Sequence, residues 1–282
     1  MKFHQSTAEI FIPDGFPPEK ALARTTHLAV SAHQDDIEIM AVEPILRCFQ
    51  QHDLWFSAVV ISDGRGSPRD DIYKNFTDEE MRVVRFKEQK KAAVVGEYAA
   101  QVLLDYPSNA IKDAKDNHPV EDLLKLLKEM KPQFVYTHNI ADKHDTHVST
   151  ALRTIEAIRC LSASERPQKL FGCEVWRSLD WLLDSDKVPF DLSKHINLQA
   201  ALLGVFDSQI CGGKRYDQAS MGRRKANATY YESHGLDSSQ GLSYGMDLTP
   251  LIIDDRRSIT EFIQEHINRF TLDVTDRLTR LC

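Results

Sequence analysis

Apolar positions in this chain follow two alternating rhythms. Short runs rich in β-branched residues are each followed by longer stretches whose apolar residues recur three and four apart. These are the periods of buried strands and amphipathic helices. Thr26–Ser31 predicts a first strand and Ile39–Gln51 its helix. Trp55–Ser62 predicts a second strand, and Asp78–Val95 a long helix with Thr77 as its cap. Gln101–Leu104 predicts a third strand and Val120–Met130 a helix stopped by Lys131-Pro132. Gln133–Thr137 predicts a fourth strand, followed by a helix over Val148–Leu161. Strands alternating with helices predict an α/β fold, a Rossmann-like three-layer arrangement in which a mostly parallel sheet carries helices on both faces.

At the ends the rhythm changes. Residues 1–25, with Pro13, Pro17 and Pro18, predict an irregular N-terminal arm, and residues 26–282 a single domain with a C-terminal helical elaboration. Beyond Pro167, Leu170–Arg177 predicts a fifth strand, and Leu198–Phe206 and Arg223–Tyr231 predict helices. Ile259, Phe262, Ile263, His266, Ile267 and Phe270 share helical spacing. That spacing favours a terminal helix packed on the core over a contact in a homo-oligomer.

Two clusters carry candidate chemistry. Ser31-Ala32-His33-Gln34-Asp35-Asp36 lies where the first strand hands over to its helix, and His138 to His147 lies after the fourth. In open α/β folds those are positions on the ligand-binding edge of the sheet. His144 and His147, spaced i, i+3, share one face of a helical turn. His33, Asp36 and one of these two histidines supply three N and O donors. Zinc with three protein ligands and an open fourth position is the catalytic arrangement, and ferrous iron suits the same donors. Helix capping is the competing reading of Asp36 and of Asp145, but paired clusters at two strand ends favour a metal site.

His33-Gln34-Asp35-Asp36-Ile37-Glu38 resembles the His-Pro-Asp-Asp-x-Glu motif of the PIG-L/LmbE-like metal-dependent N-deacetylases. His144-Asp145-Thr146-His147 resembles their His-x-x-His motif. Arg85 to Glu88 with Ala92 and Gly96, Leu103 to Pro107, and Ser208-Gln209 resemble further family segments. The resemblance implies one metal ion per chain, on His33, Asp36 and His147. It implies Asp35 as general base, a protonated His144 stabilising the intermediate, and Arg85 binding substrate. Ser108 and Asn109 stand where the family often has an Asp that contacts sugar hydroxyls. Gln34 replaces the usual Pro, Asp145-Thr146 the usual Pro-Asp, and Phe206 a frequent His. The implied reaction removes the N-acetyl group from an N-acetylglucosamine-type conjugate, a small-molecule partner. A metal-dependent phosphoesterase, with Asp63 and Asp142 as added ligands, and an N-acyl amidase of non-sugar substrates are the alternatives. A dinucleotide-binding protein is disfavoured, because no Gly-rich turn follows the first strand.

Bulk properties narrow the setting. A net charge of −7 argues against nucleic acid. Five scattered cysteines without a Cys-x-x-Cys pair suit a reducing compartment, and no apolar stretch approaches the ~20 residues that span a bilayer. The expected location is cytoplasmic. Lys214, Arg215, Arg223, Arg224 and Lys225 read as a solvated basic helix face rather than an anion site.

Overall fold

The computed structural model describes residues 1–282. Its first segment departs from the expected irregular arm. Glu9–Phe11 forms strand β1, which pairs with the strand at Ala100–Tyr106, and Pro18–Ala23 forms helix α1. Pro18 sits at the start of α1, where a missing N–H has no partner to lose. Strand β2 (His27–Ser31) follows. The single helix expected after it is two, α2 (Asp36–Met40) and α3 (Val42–Cys48). Pro44 cannot donate to the preceding turn, so the second helix starts afresh.

Strand β3 (Phe56–Ser62), helix α4 (Asp78–Val95) and strand β4 (Ala100–Tyr106) come next. Thr77 caps α4 reciprocally: its hydroxyl accepts from Glu80 N–H, and the Glu80 carboxylate accepts from Thr77 N–H at 2.7 Å. A short helix α5 (Ser108–Lys112) precedes α6 (His118–Met130), strand β5 (Phe134–His138) and α7 (Asp145–Arg159). Strand β6 (Lys169–Cys173) ends earlier than expected, and β7 (Lys187–Asp191) is followed by α8 (Ile196–Gly204), α9 (Asp207–Ile210) and α10 (Tyr216–Tyr230). Strand β8 (Leu242–Asp247), α11 (Thr249–Ile253) and α12 (Ile259–Leu281) complete the chain. Strands β7 and β8 have no counterpart in the sequence pattern, because Pro189 interrupts one and Gly245 the other.

The eight strands form one sheet in the order β1-β4-β3-β2-β5-β6-β8-β7. The pairings from β4 to β6 are parallel, while β1, β8 and β7 join through antiparallel ones. From β2 the chain runs outward to β3 and β4, then returns to lay β5 on the other side of β2. Loops leaving β2 and β5 therefore diverge, which opens a crevice at the carboxyl edge of the sheet. Alternate strand residues serve two layers. Leu28, Val30, Val59 and Ile61 meet Leu123, Leu126 and Ile155 of α6 and α7 on one face. Ala29, Ala58 and Val60 meet Ile37, Met40, Ile45 and Phe86 of α2, α3 and α4 on the other. Helix α12 packs by Phe262 and His266, but Ile267 and Phe270 are 41% and 40% exposed, so its apolar stripe outruns the core. No helix is long and apolar enough to cross a membrane.

His27 opens β2 with its ring stacked on Phe134, centroids 4.9 Å apart. Burial, with the nearby Arg47 charge, pulls its pKa from 6.5 to about 4. Between those values the unfolded chain holds a proton that the folded chain refuses. The stabilisation is therefore complete above pH 6.5 and is lost as pH falls towards 4. Its upper size is roughly 3 kcal/mol. We expect His27→Gln to weaken the loss of stability between pH 7 and 4 measured by urea unfolding. An unaltered pH slope would assign the acid sensitivity to other groups.

Candidate active site

The crevice between β2 and β5 holds both histidine clusters. Thr137 ties the strands, its hydroxyl donating to Val30 O at 3.0 Å, and Ala32 N–H donates to His138 Nε2 at 2.9 Å. The turn after β2 closes on itself: His33 N–H donates to Asp36 Oδ2 at 2.8 Å. Neither capping alternative describes the acids here. Asp36 and Asp145 are the first residues inside α2 and α7, and neither helix has a side-chain cap.

That closure gathers three donors, one from the turn after β2 and two from the first turns of α2 and α7. His33 Nδ1 lies 3.2 Å from Asp36 Oδ2 and 3.2 Å from His147 Nε2, and the last two atoms are 3.3 Å apart. Three tetrahedral ligands about 2.1 Å from one divalent ion are separated by about 3.4 Å, so the donor set fits a single small cation. The electrostatics agree. Burial disfavours charge on His147, yet Asp36 and Asp142 raise its pKa to about 9. Burial likewise opposes the Asp36 charge, but His147 and His138 hold its carboxyl well below the usual range. The pocket favours positive charge between these groups.

Sequence reasoning gave Asp142 no part in this set. Its carboxylate accepts from the backbone N–H of His144 and of Trp176, at 3.2 and 3.1 Å, and lies 3.5 Å from His147 Nδ1. It thereby turns His147 Nε2 toward the other donors, the usual arrangement behind a metal-binding imidazole. His138, Asp142 and His147 also cluster. That cluster shares His147, and the His138 Nε2 lone pair is already taken by Ala32 N–H. Asp63, the other candidate for a second metal, pairs instead with Arg65 at 2.7 Å.

Asp35 stands beside the donors in an uncommon backbone conformation, φ 85°. Gln89 Oε1 accepts its N–H at 3.2 Å, and Arg85 Nη2 lies 3.3 Å from its carboxylate. Gln89 is held in turn by Glu38, whose carboxylate also accepts from Tyr98. Burial pushes Asp35 up to about 7, with Arg85 pulling down and Asp36 pushing up. Arg85 is 1% exposed and also donates to Gln34 O, while its Nε and Nη1 make no hydrogen bond. Gln34 fills the place of the family's Pro: its buried amide donates to Ser62 O at 3.0 Å and packs under Gly64, where any Cβ would strike it at 2.2 Å.

His33, Asp35, Asp36, Arg85, Ser108 and His144 all line one cavity of about 450 Å³. Asn109 does not. It is exposed, and its side chain accepts from Ala110 N–H. Expected as protonated, His144 is instead held below the ordinary histidine pKa by burial and by His147 and His33, which favours the neutral ring. Lys112, Trp176, Gln209, Lys214 and Tyr216 complete the mouth and walls. Nothing local in the sequence marks Lys112, Trp176 or Tyr216, because the topology alone brings them together. The basic run does not act as one face. Arg215 pairs with Asp217 at 2.7 Å, Arg223 donates to Val175 O, and buried Arg224 donates to Glu38 O at 2.8 Å.

Residues 28–158, which include both clusters, match the family model described as PIG-L, GlcNAc-PI de-N-acetylase. No curated protein matches the chain in sequence. Three solved structures share the fold. A conserved protein of Thermus thermophilus is 16% identical over 83% of this chain and 99% of that one, with a TM-score of 0.61. The 4-carboxy-2-hydroxymuconate hydratase of Pseudomonas putida is 16% identical over 79% and 96%, TM-score 0.61. The N,N'-diacetylchitobiose deacetylase of Pyrococcus horikoshii is 17% identical over 78% and 83%, TM-score 0.56. A hydratase and a deacetylase on one fold show that the architecture alone does not choose the reaction. The family match spans both motifs, so residues 28–158 are similar to the PIG-L family domain, and the rest of the chain shares the fold of the neighbours.

Proposed function

We propose that this protein hydrolyses the N-acetyl amide of an N-acetylglucosamine-type conjugate, using one divalent ion held by His33, Asp36 and His147. The observation that carries the reading is the placement of Asp35, a carboxylate lifted to about 7, beside a three-donor set in one cavity with His144. When bound there, zinc or ferrous iron supplies Lewis acidity, activating water and polarising a carbonyl.

The chain's own groups do the rest. Asp35 takes the proton from the attacking water as oxygen bonds to the acetyl carbon. It returns that proton to the amine nitrogen as the C–N bond breaks, and acetate and a free amine leave. A value near neutrality suits both halves of that task. The neutral ring of His144 donates one N–H to the carbonyl oxygen as negative charge develops there, which needs no full charge on the ring. Arg85 restrains the Asp35 carboxylate, and its Nε and Nη1, which make no hydrogen bond although Nη1 lies 3.8 Å from Glu88, suit hydroxyls of the sugar. Ser108 at the cavity wall offers one hydroxyl, not the two-oxygen grip of an Asp, so more of the binding comes from the group attached to the sugar. Five free cysteines suit a cytoplasmic setting.

We expect metal-loaded protein to release acetate from N-acetylglucosamine conjugates and to turn over free N-acetylglucosamine poorly. The assay measures acetate and free amine across such conjugates, simple acyl amides and bis-p-nitrophenyl phosphate. Phosphodiester cleavage without acetate release moves the protein to the phosphoesterase class. Efficient turnover of the free sugar removes the role given to the attached group.

A further inference from the structure

Helix α12 is longer than the surface it packs on. Its first half is anchored: Phe262 and His266 are buried, and Ile259 and Ile263 pack against the core. Beyond them Ile267, Phe270, Val274, Leu278 and Leu281 are 39% to 75% exposed. With 3.6 residues per turn, these five stay on one stripe roughly 80° wide, in line with the anchored positions. They present roughly 500 Å² per copy, at the upper end of the apolar patches that monomers expose. A helical segment of this length is marginal in water without a packing partner.

The stripe is complementary to itself. Let a second α12 run antiparallel along it, with the two-fold axis beside Thr275. Phe270 then faces the partner's Leu281, and Val274 faces the partner's Leu278. On one flank Asp273 meets the partner's Arg277, and the symmetry repeats that contact. Asp273 and Arg277 of one helix already lie 3.0 Å apart, so the four charges alternate in sign. On the other flank stand Thr271, Thr275 and Thr279. Their hydroxyls donate back to Ile267 O, Thr271 O and Thr275 O at 3.0, 2.9 and 2.8 Å, which leaves that flank small, uncharged and satisfied. Phe262 lies about 20 Å along the helix from the axis, so the two cores stand clear of each other.

We propose that the second half of α12 is a dimerisation element, covered by the same segment of a second copy of this chain in antiparallel pairing. Two stripes together approach the ~1,000 Å² that a specific interface needs, so the dimer should dissociate in the micromolar range. A bilayer surface is a poorer occupant. Helices that lie on membranes carry a polar face rich in Lys and Arg, and here Asp273, Asp276 and the threonines share that face. The proposal is independent of the reaction, because no residue of α12 lines the cavity.

The test is sedimentation of the full-length protein across a concentration series. We expect the wild type to approach twice the 32.2 kDa of one chain. Val274→Glu/Leu278→Glu should raise the dissociation constant by about a hundredfold or more, since it puts charge at the centre of the pairing. Its melting temperature should stay near that of the wild type, because both positions are exposed in one copy. Asp273→Arg and Arg277→Asp, each alone, should weaken self-association by about tenfold or more through like charges across the pair. An equimolar mixture of those two variants should form a heterodimer. Each variant keeps a like-charged pair within its own helix, so that rescue arises only between chains. A monomeric wild type, with or without binding to anionic vesicles, overturns the proposal. So does a dimer that survives Val274→Glu/Leu278→Glu, or a mixture in which the two single variants associate no better than each does alone.

Discussion

Asp35→Asn is expected to lower kcat by about 10² to 10⁴-fold, the usual contribution of general acid–base catalysis, while the bound metal is retained. The amide is nearly isosteric and keeps the contact with Arg85, but it neither takes the proton from water nor passes it to the amine. Asparagine therefore separates proton transfer from metal binding. The pH profile offers a second reading. Burial lifts Asp35 to about 7 and a bound cation draws it back down, so in the wild type activity falls on the acid side as the carboxylate is protonated. In the variant that acid limb should disappear along with the rate. A variant with near-normal turnover would pass the proton-transfer role to another group, with Asp145 the first to test.

His33→Ala should abolish metal retention and activity together. Its Nδ1 is one corner of the three-donor set, and the two remaining corners, Asp36 and His147, come from the first turns of different helices, α2 and α7. Elemental analysis after dialysis should give one equivalent of divalent metal in the wild type and well under one in the variant. A full equivalent in the variant would show that the ion sits elsewhere. Two equivalents in the wild type would revive the phosphoesterase reading, because two-metal sites are built for phosphoryl chemistry.

How much of this is visible in sequence depends on the distance over which each feature is encoded. His33, Asp35 and Asp36 are legible because a strand, a turn and a helix succeed one another within a few residues, and chemistry at such a junction faces the ligand edge. His144 and His147 are legible for the same reason at β5. Asp142 is different. Its role is set by Trp176 N–H, which arrives from beyond β6, and no local pattern announces that meeting. Arg224 misleads in the opposite way. A basic run reads as a wet helix face, but its guanidinium turns inward to backbone carbonyls that end α2. Strands β7 and β8 escape the pattern because a proline and a glycine are tolerated at an antiparallel margin and not in the parallel centre. The N-terminal arm is misread for a related reason: β1 is only three residues long, and it becomes a strand only because β4 offers an open edge.

The left-handed backbone at Asp35 bears on how this chain can change over evolutionary time. For an L residue with a side chain, that conformation costs on the order of 1 to 2 kcal/mol, and glycine would adopt it with almost no penalty. Selection for stability alone would drift position 35 toward glycine, and under the proposed role of Asp35 selection for turnover would hold the carboxylate there. The Gln89–Glu38–Tyr98 network behind it offsets the strain through buried hydrogen bonds. A descendant freed from catalysis would be expected to lose Asp35 first and this supporting network later, leaving a fold more stable than its active ancestor.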